Sequence, residues 1–204
     1  MIGEHIMVAV PIIDPQTGLD KQPSRKKEIE GIRITIPEEM ILRCKNIDDA
    51  KSFAYWNKPE SIYKKGAYKG NTLVGMMGEC ALGILFNMTA DLKYRPLGDG
   101  GTDFAIDGKK VDVKTARSPR LGRNFVVRVE KEHDKGLKSD IYIGSYLEDE
   151  TILERDECRV ILLGYTTKDS LMAQPLQRSY VLKCWNTEIY FSELLPLRDL
   201  ANFS

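Results

Sequence analysis

Two histidines and four scattered cysteines leave this chain short of soft metal ligands. Cys44, Cys80, Cys158 and Cys184 form no CxxC or CxH spacing, which argues against zinc and against an iron–sulfur cluster. The thiols read as buried or idle groups of a reducing cytosol. His5 and His133, the latter inside "EKEHDK", are too few for an HNH or zincin site and read as surface residues. No GxxxxGK[ST] occurs, so the sequence carries no P-loop. It contains no run of about eighteen apolar residues, and "MIGEHIMVAVPIID" lacks a basic n-region and a small-residue cleavage site. The expectation is a soluble, cytoplasmic protein without a membrane partner. An excess of one charge is also missing: 30 Lys plus Arg balance 30 Asp plus Glu. Any surface for a polyanion must therefore come from local segregation of charge.

What is present suits one well-buried core, since 204 residues are too few for two full domains. "MVAVPII" (7–13) reads as a strand, and the polar, proline-containing stretch 14–30 as a loop or hairpin connection. "GIRITIP" alternates Ile32, Ile34 and Ile36 with polar residues, the pattern of a half-buried strand. Pro37 suits a helix N1 position, with Glu38 and Glu39 in the first turn, and one or two helices fill 38–56. "NKPESIYKKGAYKGN" is a basic loop. From Thr72, "TLVGMMGECALGILFNM" is helical and apolar, with Glu79 as its one charged residue. A buried acid there is costly unless it is paired or bound to a cation; a helix acid facing solvent is the competing reading. Further strands are expected at 124–130, 140–147 and 159–166, the last two apolar enough to be covered on both faces. "TTKDSLMAQ" reads as a short helix. Residues 1–66 form an N-terminal extension packed on a core of 67–204, in one α/β or α+β domain.

The stretch "GTDFAIDGKKVDVKTA" (101–116) carries the chemistry. Asp107-Gly108 predicts a type I′ hairpin turn. Ile106 then pairs with Lys109, Ala105 with Lys110, Phe104 with Val111 and Asp103 with Asp112. Side-chain alternation puts Asp112 and Lys114 on the face of Asp103, and Val111 and Val113 with Phe104 on the core side. Opposed carboxylates about 5 Å apart repel by roughly 3 kcal/mol at an effective dielectric near 20. A hard divalent cation between them reverses that sign, and Lys114 meets the remaining charge of a phosphodiester. The competing reading is a solvated hairpin balanced by Lys109, Lys110 and Lys114. "GDGGTD" nearly matches a calcium-binding repeat that works only in stacked copies, so it reads as a flexible lead-in.

These residues resemble the PD-(D/E)XK nuclease superfamily, of restriction-endonuclease-like fold. Thr102-Asp103 stands for the "PD" element, Asp112-Val113-Lys114 for "(D/E)XK", and Glu79 in "GECALGILFN" for the helical acid. The likeness covers roughly residues 72 to 166. Thr102 replaces the motif proline, Asp112 replaces the more usual Glu, and the cysteines of the iron–sulfur branch are missing.

The resemblance implies a central mixed sheet flanked by helices and a Mg²⁺- or Mn²⁺-dependent deoxyribonuclease. Asp103, Asp112 and the Val113 carbonyl would hold the metal, with Glu79 orienting a water or completing a second site. Lys114 would orient the attacking water or stabilise the transition state. Arg117, Arg120 and Arg123 form a DNA-facing rim. Lys64, Lys65 and Lys69, near Lys58, Tyr63 and Tyr68, form a second basic stretch. Both basic stretches can equally be solvated loops. DNA is the expected partner, with RNA left open. Such stand-alone nucleases occur in phages and in bacterial defence or repair. A catalytically silent nucleic-acid-binding or assembly module of the same fold is the alternative. Within the enzymes, a Holliday-junction resolvase would require a two-fold homodimer.

Overall fold

Residues 141–147 are buried at every position, as a strand must be when both of its faces are covered. The computed structural model describes residues 3–11, 26–56, 70–93, 102–117, 124–129, 137–148, 157–178 and 185–200. It is an α/β structure built on a mixed six-stranded sheet of order β1-β2-β7-β6-β4-β3. The strands are β1 (Glu4–Pro11), β2 (Lys26–Ile36), β3 (Phe104–Ile106), β4 (Lys109–Ala116), β6 (Ile141–Leu147) and β7 (Cys158–Thr167). All neighbours pair antiparallel except β4 and β6, which are parallel. A second sheet, β5-β9-β8, comprises β5 (Asn124–Val129), β8 (Gln177–Arg178) and β9 (Trp185–Tyr190).

Helices α1 (Glu38–Trp56) and α2 (Asn71–Leu85) cover one face of the main sheet. Ile32, Ile34 and Ile36 of β2, Val111 and Val113 of β4, and Val160 and Leu162 of β7 bury there against Leu73, Met77, Cys80 and Leu82. Full burial of each such aliphatic side chain contributes about 1.5–3 kcal/mol. α2 is apolar on nearly all sides because it lies between the sheet and α1. The other face forms a second core, where Val8, Val10, Tyr142, Tyr146, Ile161 and Leu163 meet Leu171, Ile189 and Phe191. Short helices α3 (Lys168–Met172) and α4 (Leu197–Leu200) complete the described elements. Thr167 caps α3 by accepting from the Ser170 N–H at 3.2 Å. Among the described residues, no helix is long and apolar enough to cross a membrane.

Two expectations need correction. Residues 26–30 are strand, not loop, because Lys26–Glu30 extend β2 and pair with Met7–Pro11 of β1. The charge of "KKEIE" concealed this; only Ile29 of that stretch packs against the second core. Pro37 precedes the helix instead of occupying N1, its carbonyl accepting from Met40 and Ile41. The strand expected at 124–130 forms over Asn124–Val129 and pairs with β9 in the second sheet. The first 66 residues supply two strands of the main sheet and helix α1, which packs on α2.

α2 starts without a side-chain cap of its own, at Gly70 with φ 78°. The cap comes from α1: buried Asp48 accepts from the Leu73 N–H at 3.2 Å. This tertiary cap ties the two helices together at the end of α2 from which Glu79 is reached.

Candidate active site

The hairpin forms as its turn chemistry dictates. Asp107 and Gly108 both take positive φ, 48° and 75°, the type I′ requirement. Ile106 pairs with Lys109, Ala105 with Lys110 and Phe104 with Val111. Phe104, Val111 and Val113 face the core beneath α2. Asp112 and Lys114 point the other way, Asp112 beside Tyr142 across the parallel β4–β6 pair. Asp140 locks that pair at its start, accepting from the Lys110 N–H and donating its own N–H to the Lys110 carbonyl, both at 2.8 Å.

Asp103 does not pair regularly with Asp112, as the extrapolated register required, because the ladder stops at Phe104. Its N–H donates to the Val111 carbonyl at 2.9 Å. Its Oδ2 accepts from the Val113 N–H at 2.7 Å. The side chain thus takes the bond a further strand residue would have made, and Asp103 brackets Asp112 from the residues on either side. This placement avoids the direct opposition of two carboxylates while keeping them neighbours.

Glu79, on α2, is near enough for its charge to act on Asp103. Burial, then the charges of Glu79 and Asp112, push the Asp103 carboxyl up to about 8, against the opposing pull of the Val113 N–H and of Lys114. Asp112 is itself buried, 6% exposed, and its Oδ1 accepts from Lys114 Nζ at 2.5 Å. Burial first, together with the charges of Asp112 and Asp140, pushes the Tyr142 phenol up to about 12. Its Oη accepts from the Ser139 N–H at 3.2 Å. Ser139 Oγ lies 3.4 Å from Thr102 Oγ1, which links the residue before Asp103 to the approach to β6.

Asp103 therefore stands within reach of the charges of Glu79, Asp112 and Lys114. As placed, Asp103 and Asp112 are turned to the Val113 N–H and the Lys114 ammonium. Among the described residues, no three His, Cys, Asp or Glu side chains gather closely enough to hold a metal ion. The donor chemistry nevertheless fits a hard cation, because burial and the nearby charges of Glu79 and Asp112 raise the proton affinity of half-buried Asp103, and a divalent ion relieves the same repulsion. Arg117 follows directly on β4 and is half-buried. Arg120, Arg123, Lys58, Lys64, Lys65 and Lys69, with Tyr63 and Tyr68, lie outside the described residues, as do His133 and Cys184. Cys44, Cys80 and Cys158 are buried and in no disulfide, and His5 is an exposed residue bonded to Glu30 at 2.9 Å.

Sequence reasoning missed Tyr142, Asp140 and Asp48. Asp140 and Tyr142 sit at the start of the "DIYIGSYL" strand, but their nearness to Asp112 depends on β4 pairing with β6, which no local pattern reveals. No family model, no curated protein and no solved structure matches this chain.

Proposed function

We propose that the chain is a Mg²⁺-dependent nuclease that hydrolyses DNA phosphodiester bonds on a restriction-endonuclease-like, PD-(D/E)XK fold. The observation that carries the reading is the bracketing of Asp112 by Asp103, with the charge of Glu79 acting on Asp103 and Lys114 seated on Asp112. A purely structural hairpin gains nothing from setting Asp103 beside Asp112 at partly buried positions, within reach of the charge of Glu79. The mixed six-stranded sheet, with α2 packed on β4, agrees with the fold the motif implies.

In this reading Asp103, Asp112, the Val113 carbonyl and Glu79 hold Mg²⁺ or Mn²⁺. Such an ion, when bound, would lower the pKa of a water and neutralise charge on the scissile phosphate. The Val113 N–H fixes the Asp103 carboxylate, so that its other oxygen is presented in one orientation. Lys114 leaves Asp112 for the phosphate or the attacking water, contributing a positioned positive charge. Arg117, Arg120 and Arg123 contact the DNA backbone at the end of β4, and Lys64, Lys65 and Lys69 contact it before α2. Residues 120, 123, 64, 65 and 69 enter this scheme on sequence alone.

A second reading is a nucleic-acid-binding or assembly module without turnover. One observation favours it: no three acids gather to hold an ion among the described residues, and Lys114 is engaged with Asp112. Supercoiled plasmid incubated with Mg²⁺, Mn²⁺ or EDTA separates the two, with Asp112→Ala and Lys114→Ala as controls. The nuclease nicks or linearises DNA with the metals only, and both variants lose this. DNA retained on a gel without cleavage under every condition marks the module. Preferential cleavage of branched duplex by a two-fold dimer marks a junction resolvase.

A further inference from the structure

We propose that Gly78 is a positioning residue: its missing side chain lets α2 close onto Thr115 and Ser145, and this close seat carries the neighbouring Glu79 to the acidic pair. The proposal rests on the nuclease reading for the role of Glu79, although the seat itself is independent of it. A Cβ built at Gly78 falls far inside contact distance of Thr115 Oγ1, and 3.1 Å from both Ser145 Oγ and Val113 Cγ1. The obstructing atoms belong to a wall that cannot easily give. Ser145 is fully buried, and its hydroxyl lies 3.0 Å from Thr115 Oγ1 and 3.4 Å from the Lys114 carbonyl. Val113 is buried in the core, and Thr115 is held across the β4–β6 pair opposite Ser145.

The contact therefore ties Val113 and Thr115, which flank Lys114 on β4, to the turn of α2 that bears Glu79. Gly75, one turn earlier on the same helix, has nothing within 4 Å of where its Cβ would stand. Helix propensity alone disfavours glycine at both positions, by about 1 kcal/mol relative to alanine. Of these two, packing demands glycine at Gly78 alone; Gly83, further along α2, is also crowded, but by the backbone of Met88 and not by the sheet.

The experiment compares the full-length chain with Gly75→Ala, Gly78→Ala, Thr115→Ala and the double variant Gly78→Ala/Thr115→Ala. Three readouts apply: crystal structures, Mn²⁺ binding by calorimetry, and kcat and KM on plasmid DNA. In Gly78→Ala, α2 stands off β4 and Glu79 withdraws from Asp103. Mn²⁺ affinity falls about tenfold. The rate constant kcat falls by up to about 100-fold, as for a roughly 1 Å misplacement, while KM changes little. Thr115→Ala vacates the obstructed space, so the double variant regains the helix position and most of the affinity and rate. Gly75→Ala matches the wild type.

Wild-type helix placement in Gly78→Ala overturns the proposal. So does a shifted helix with unchanged Mn²⁺ binding and kcat in an active enzyme. If Gly78→Ala does not fold, Thr115→Ala must restore the fold, and failure to do so also overturns it. A wild type that neither cleaves DNA nor binds Mn²⁺ sinks the nuclease reading, and the crystal structures still decide whether Gly78 seats Glu79.

Discussion

The Val113 N–H donates to Asp103 Oδ2 over 2.7 Å, so the carboxylate that opens β3 is held by the backbone of the strand bearing Asp112 and Lys114. That bond spans ten residues of sequence, so the hairpin turn sets where Asp103 stands relative to Asp112 and Lys114.

Substitution at the turn tests the register directly. Gly108 has φ 75° and nothing within 4 Å of a built Cβ, so Gly108→Ala acts through backbone conformation alone. It should destabilise the chain by about 1 kcal/mol, measured as a lower urea midpoint at unchanged m-value. Asp107→Gly should be nearly neutral, because glycine takes the positive φ of that position freely.

Stability should fall as pH rises from about 4 to about 8. The native Asp103 carboxyl keeps its proton up to about 8, whereas an unfolded aspartate releases it near ~3.9. Between those values the native state binds more protons, so raising the pH favours unfolding. Asp103→Asn should flatten that part of the stability curve. A chemical-denaturation series at several pH values checks it, and a curve equally steep in both proteins would contradict the assignment.

In the proposed nuclease the same group couples metal binding to protons. At pH 7 a bound ion would displace the proton held by Asp103, so Mn²⁺ binding should release close to one proton and tighten with pH, levelling above about 8. Calorimetry in buffers of different ionisation enthalpy measures that release. Asp103→Asn should abolish both the release and most of the affinity.

Removing the tertiary cap should loosen α2 without touching the acids. Asp48 accepts from the Leu73 N–H at 3.2 Å, and caps of this kind contribute about 1 kcal/mol. Asp48→Ala should lower Tm by about 2–4 °C for a chain of this size. Thermal unfolding followed by circular dichroism measures it.

Much of this arrangement was legible because it is local. Asp107-Gly108 set the hairpin and its inward residues Phe104, Val111 and Val113. Unbroken apolar runs marked β6 and β7 as strands covered on both faces, and the lone acid of an apolar helix singled out Glu79. What was not legible depends on partners far away in sequence. The charged start of β2 is a strand because β1 lies beside it. Residues 124–129 leave the main sheet because they pair with Trp185–Tyr190. The departure of Asp103 from the ladder depends on a side chain competing with a backbone acceptor for one N–H. The bulge that slips β6 past β7 after Gly144, leaving Leu163 unpaired, is another long-range event without a local signal.

Anomalous diffraction from crystals soaked in Mn²⁺ tests the central claim most directly. The account predicts a peak within bonding distance of Asp103 and Asp112, on the side where the charge of Glu79 is felt, with Lys114 displaced from Asp112 Oδ1. A saturating soak that leaves this pocket without a peak, with Lys114 still on Asp112, would contradict it.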